Sequence, residues 1–120
     1  MRNISIIIAG GREFTDRAHA FKRLDDFNRW ANTQGLNLTT IIHGDARGAD
    51  RIGRDWGNHH KLNVVPFPAD WDTHGKSAGP IRNQLMLDQK PDFVITFSGG
   101  RGTAHMKRIS KQAGVTVFSL

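Results

Sequence analysis

Five short runs of apolar residues, each followed by a turn and a stretch of helical spacing, constrain this chain more than any other feature. They are Ile4–Ala9, Thr39–His43, Asn63–Phe67, Phe93–Phe97 and Val115–Phe118. Short runs rich in β-branched and aromatic residues read as buried strands. Helix one is expected from about Asp16, a good N-cap, to Asn32, with Phe21, Leu24, Phe27 and Ala31 at helical spacing and Gly35 ending it. Helix two, about Gly48–Lys61, puts Ile52 and Trp56 one turn apart on the core face. A longer loop, Pro68–Lys76, precedes helix three at Ser77–Gln89, whose Ile81 and Leu85 are expected to face inward. Helix four, Thr103–Ala113, carries Met106, Ile109 and Ala113 on one face.

Strands alternating with helices imply a parallel sheet covered on both faces. Right-handed crossovers then make the expected fold an α/β, Rossmann-like three-layer sandwich with five strands in the order 3-2-1-4-5. No linker or repeat interrupts the alternation, so residues 1–120 are expected to form one domain. In such a sheet, ligands bind beyond the carboxyl ends of the strands, at the crevice between strands one and four where the winding reverses.

The segments that leave the strands therefore matter most. Strand four runs into Ser98-Gly99-Gly100-Arg101-Gly102-Thr103. Glycines there let the backbone turn sharply, and the uncapped start of a helix seats phosphate. Thr103 adds a hydroxyl. Strand one is followed by Gly10-Gly11-Arg12-Glu13, and strand two by Gly44-Asp45-Ala46-Arg47-Gly48-Ala49-Asp50. Strand three leads to Asp70-Trp71 and then to Gly79-Pro80-Ile81-Arg82-Asn83. Arg12, Arg47, Arg82 and Arg101 are thus expected along one rim. Guanidinium groups suit bidentate recognition of phosphate or carboxylate. For a single arginine, bracing of its own loop by an aspartate is the simpler explanation. Four on one rim would repel one another without an anion. Asp45, Asp50 and Asp70 offer acceptors for ribose hydroxyls or water activation, and Glu13 is a further carboxylate candidate. Trp71 either stacks on a base or anchors its loop.

Charge points the same way: 17 basic against 11 acidic residues leave a net +6, which favours an anionic partner, either a phosphorylated small molecule or nucleic acid. The basic residues are dispersed, and the tryptophans are not interleaved with a basic patch, so nucleic acid is the less favoured of the two. The absence of cysteine excludes disulfides and thiolate metal sites and makes a cytoplasmic protein the expectation. The apolar run at the N-terminus is too short for a signal-peptide core or a membrane span. No metal spacing occurs: His59 and His60 are adjacent on a helix and point apart. Gly75-Lys76-Ser77 lacks the upstream glycine of a P-loop, because Asp70 stands there. His43, at a strand end, reads as loop packing before catalysis. Nothing implies a cofactor.

Taken in order, Gly11-Arg12-x-Phe14-x-Asp16, His43-Gly44-x-Ala46-Arg47-Gly48-Ala49-Asp50, Pro68-Ala69-Asp70-Trp71, Gly75-Lys76-x-Ala78-Gly79-Pro80-x-Arg82-Asn83 and Gly99-Gly100-x-Gly102-Thr103 resemble the YspA-type branch of the SLOG superfamily. That Rossmann-like group includes DprA and the LOG phosphoribohydrolases. The resemblance implies a bacterial or phage protein that holds a nucleotide or nucleotide-derived ligand, ADP-ribose-like, NAD-like or a nucleoside monophosphate, at the glycine-rich loops. It also implies self-association, since related proteins commonly form dimers. LOG enzymes cleave the base–ribose bond, and their strand-four motif continues into a pair of glutamates. Here those positions are His105 and Met106. Three functions are compatible with this resemblance: binding without turnover, as a sensor or sequestering protein; N-glycosidic hydrolysis; and DprA-like nucleic-acid binding.

Overall fold

A computed structural model describes residues 1–120. Strands β1 (Arg2–Ala9), β2 (Leu36–His43), β3 (Asn63–Pro66), β4 (Phe93–Thr96) and β5 (Thr116–Ser119) alternate with helices α1 (Arg17–Thr33), α2 (Ala49–His59), α3 (Trp71–His74), α4 (Ala78–Leu87) and α5 (Arg101–Gln112). All strand pairs are parallel and the order is β3-β2-β1-β4-β5. The fold is the Rossmann-like α/β sandwich that the alternation predicts.

Strand β1 shows why both faces are covered. Successive side chains of a strand point to opposite faces, and here both sets are apolar. Ile4, Ile6 and Ile8 pack with Leu24 and Phe27 of α1 and with Ile52 and Trp56 of α2. Ile7 and Ala9 pack on the other face with Met86 of α4 and Met106 of α5. Trp56 is fully buried, and its indole N–H donates to Asp25 Oδ1 at 2.9 Å, which removes the cost of burying that donor. Helix α1 starts as expected: the Asp16 carboxylate accepts the His19 backbone N–H at 3.0 Å. No helix is long and apolar enough to cross a membrane.

Register brings the site loops to one edge. Ile8 lies opposite His43, and Ala9 opposite Thr96. The chain therefore leaves β1, β2 and β4 at nearly the same level.

Helix α4 corrects one expectation. Ile81 and Leu85 are exposed, at 37% and 48%, while Ala78, Asn83, Met86 and Leu87 are buried. The helix is turned so that a polar residue, Asn83, faces inward, for reasons that lie in the site. The expected loop Pro68–Lys76 also contains structure, namely the single turn α3 and a 3₁₀ turn at Gly75–Ser77. Helix α5 begins two residues before Thr103, which lies buried inside its first turn.

Candidate functional site

Beyond the carboxyl ends of β1 and β4 lies a cavity of about 570 Å³. Two loops form its floor and are stitched together by the Gly11 N–H, which donates to the Ser98 carbonyl at 2.8 Å. That approach needs glycine on both sides: a Cβ on Gly11 would sit 2.9 Å from the Gly99 Cα, and one on Gly99 would collide with Thr103 Oγ1. Past this contact, α5 starts at Gly100 with no side-chain cap. Ala104 is the first residue beyond Gly100 whose N–H meets a backbone carbonyl, that of Gly100 at 3.0 Å. The N–H groups before it are left open where Gly100, Arg101, Gly102 and Thr103 line the cavity. An uncapped helix start of this kind has partial positive charge and free donors.

Arg82 and Asn83 of α4 hold the opposite wall. Arg82 Nη1 donates to the Gly44 carbonyl at 2.7 Å, and its Nε donates to Asn83 Oδ1 at 3.0 Å. The Asn83 amide then donates to the Gly102 carbonyl at 3.1 Å and meets His105 Nδ1 at 3.1 Å. A continuous polar chain therefore links the loop after β2, through α4, to the first turn of α5. Because an amide N–H can only donate, His105 Nδ1 accepts and the imidazole proton sits on Nε2. Burial, with a smaller contribution from Arg108, holds His105 below its ordinary pKa, so the neutral ring is favoured.

Asp50, in the first turn of α2, also lines this cavity, although it is only 5% exposed. Burial pushes its carboxyl up to about 6, against the opposing pull of Arg82 and of the Ala46 and Gly44 N–H groups. Lys76 completes the basic lining with Arg12, Arg82 and Arg101. None of these four cations forms an ion pair.

A second cavity of about 550 Å³ adjoins the first on the β2 side. Arg12, Ala46, Trp71 and Arg82 line both and form the partition. The Arg12 guanidinium lies 5.5 Å from the Trp71 ring centroid, a cation–π contact. Gly44, Asp45, Arg47, Arg51, Pro68 and Ala69 complete the second chamber.

The candidate residues divide accordingly. Gly10, Gly11, Arg12, Asp50, Trp71, Arg82, Asn83, Gly100, Arg101, Gly102 and Thr103 come together in the first chamber, and Gly44, Asp45 and Arg47 stand in the second. Five line neither. Glu13 is 88% exposed and pairs with Arg47. The Asp70 carboxylate caps α3 by accepting the Thr73 N–H at 3.1 Å. Ser98 and Gly99 form the stitch behind the floor. Gly48 holds a backbone contact: a Cβ there would collide with the Gly11 carbonyl. His43, fully buried, lines neither chamber, and its Nδ1 accepts the Asp45 N–H at 3.0 Å. Sequence reasoning did not single out Lys76, Ala46, Gly79, Pro80 or Met86 as cavity residues. For Lys76 the signal was its place just before Gly79-Pro80-x-Arg82. His105, already singled out in the sequence, also lines the first chamber.

Comparison with known proteins adds two findings. The family model described as "YspA, cpYpsA-related SLOG family" matches residues 4–74. Gene 61 protein of Mycobacterium phage D29 is 36% identical over an alignment of 122 positions that covers 95% of this chain and 94% of that protein. The family match takes in the loops after β1 and β2 and Trp71. Lys76, Arg82 and the start of α5 lie beyond it, within the length shared with the phage protein.

Proposed function

The chain belongs to the YspA, cpYpsA-related SLOG family, and from that premise we propose that the cavity at β1 and β4 binds a nucleotide or nucleotide-derived ligand without turnover. Membership of this family suggests nucleotide-related binding or processing. One observation carries the finer reading. The uncapped start of α5 opens into a chamber lined by Arg12, Lys76, Arg82 and Arg101, none of them ion-paired, and burial disfavours the charge on the chamber's one carboxyl, Asp50. A phosphate would take the α5 N–H groups and Arg101. The Trp71 face would support a base or ribose, as in an ADP-ribose-like or NAD-like molecule or a nucleoside monophosphate. The protein then acts as a sensor or by sequestering its ligand.

The test is thermal unfolding in the presence of AMP, GMP, ADP-ribose and NAD, with inorganic phosphate as the reference. A ligand at 100 times its Kd raises stability by about 2.7 kcal/mol, a readily measured rise in Tm. No rise with any of the four nucleotides beyond that given by phosphate overturns the proposal.

Asp50 favours a second reading, N-glycosidic hydrolysis. Cleavage of a base–ribose bond passes through an oxocarbenium-like state that a carboxylate stabilises, and a carboxyl titrating near 6 can serve as acid or base close to neutrality. Incubation with purine and pyrimidine nucleoside monophosphates would then release free base, and Asp50→Asn would stop it. No release from any of them removes this reading.

A further inference from the structure

The chamber on the β2 side is nearly as large as the first, about 550 against 570 Å³, and a single phosphate at α5 leaves it unused. No residue of α5 lines it. Its own charge is high. Arg12, Arg47, Arg51 and Arg82 face one carboxylate, that of Asp45. Glu13, the partner of Arg47, stands outside the chamber, and both side chains of that pair are largely exposed. Arg51 meets Asp45 at 3.5 Å, again with both side chains partly in water. Exposed pairs of this kind contribute only about 0–1 kcal/mol. They yield to a phosphate, which takes two parallel N–H bonds from a guanidinium and satisfies more than one arginine at once. The first chamber lacks this feature, because its cations have no carboxylate to leave.

Between the chambers stands a partition of one indole and two guanidinium groups, Trp71 with Arg12 and Arg82. Flat groups of this kind stack on a base or lie along a sugar. They suit the middle of an elongated ligand and not its charged end.

We infer that the ligand is two-ended: a nucleotide with one phosphate at the start of α5 and a second, separate anionic group on Arg47 and Arg51, its base or sugar crossing at Trp71. This rests on the nucleotide-binding proposal and goes beyond it by fixing the number of charged ends.

Calorimetry on the full chain with three probes tests the inference. AMP has one charged end. Adenosine 3′,5′-bisphosphate and the 5′-phosphorylated dinucleotide pApA each have a second anionic group, at different distances. The expected result is that the better of the two-ended probes binds at least ~10-fold more tightly than AMP, about 1.4 kcal/mol. In the double variant Arg47→Gln/Arg51→Gln that ratio should fall to about one, as loss of the paired guanidinium contacts requires. Both side chains are exposed, so the variant should fold normally. Arg29→Gln, which removes one positive charge from the exposed surface of α1, should leave the ratio intact. AMP binding as tightly as both larger probes overturns the inference and spares the nucleotide proposal. So does a preference that survives the double variant, or one that Arg29→Gln abolishes equally. Failure of all three probes to bind overturns the inference, while the nucleotide proposal stands or falls on thermal unfolding with AMP, GMP, ADP-ribose and NAD.

Discussion

The junctions after β4 and after β2 look alike in sequence: each carries glycines around an arginine and runs straight into a helix. In space they part company beyond Gly99, which packs against the loop after β1. After β4, a Cβ on Gly100 or Gly102 would meet nothing within 4 Å, and the first N–H groups of α5 are left open. After β2, a Cβ on Gly44 would collide with Arg82 Nη1 and lie 2.7 Å from Asp50 Oδ2, and one on Gly48 would collide with the Gly11 carbonyl. The start of α2 is correspondingly engaged, since the Ala49 N–H donates to that same carbonyl at 3.2 Å. One junction keeps room for a visitor. The other uses its glycines to bring chain against chain, and reaches the cavity through side chains instead.

The contrast breaks most directly at Gly48. Its φ of 87° and ψ of −133° lie in a region that residues with a Cβ avoid, and the Gly11 carbonyl blocks the added methyl. Gly48→Ala should cost about 3 kcal/mol or more in urea unfolding. A variant as stable as the parent would mean that the β2 junction is not closed.

Asp50 sharpens the comparison, because the closed junction wraps its carboxyl. The buried group keeps its proton up to about pH 6, whereas its ordinary pKa is 3.8. The folded chain therefore binds more protons than the unfolded chain between those values, and this group's contribution makes stability fall as pH rises through that window. The expected loss is about 3 kcal/mol. Asp50→Asn should flatten the profile there, read as unfolding free energy against pH. An unchanged slope would assign the pH dependence to other groups. The smallest effect is expected on the open side: Gly102→Ala, inside the first turn of α5, should change stability by no more than about 1 kcal/mol, in the stabilising direction.

The apolar runs declared the strands and the covering of the sheet on both faces, and the right-handed crossover rule turned their alternation with helices into the strand order. Periodicity misread α4, where Ile81 and Leu85 form a plausible stripe. The orientation of that helix follows from Arg82 and Asn83, whose partners are the backbone carbonyls of Gly44 and Gly102. Carbonyl groups are the same in every residue, so no side-chain pattern reveals which ones a helix will bind. The loops of the site were legible from glycine and arginine placement, but their division into two chambers was not. It depends on Arg12 lying over Trp71, two residues far apart in sequence, and on Arg82 reaching the same place from α4. The role of Asp70 as the cap of α3 is legible in its spacing to Thr73 only once that segment is known to contain a helical turn.

The placement of Trp71 has a spectroscopic consequence. Trp56 lies sealed beneath the sheet, and Trp30 sits in an aromatic cluster with Phe27, Phe93 and Phe118. Only the third indole borders the two chambers. Emission from Trp56 and Trp30 tracks unfolding, while quenching or a colour change on titration originates at the partition. The polypeptide thus contains its own optical reporter of occupancy, and replacing Trp71 with phenylalanine supplies the blank.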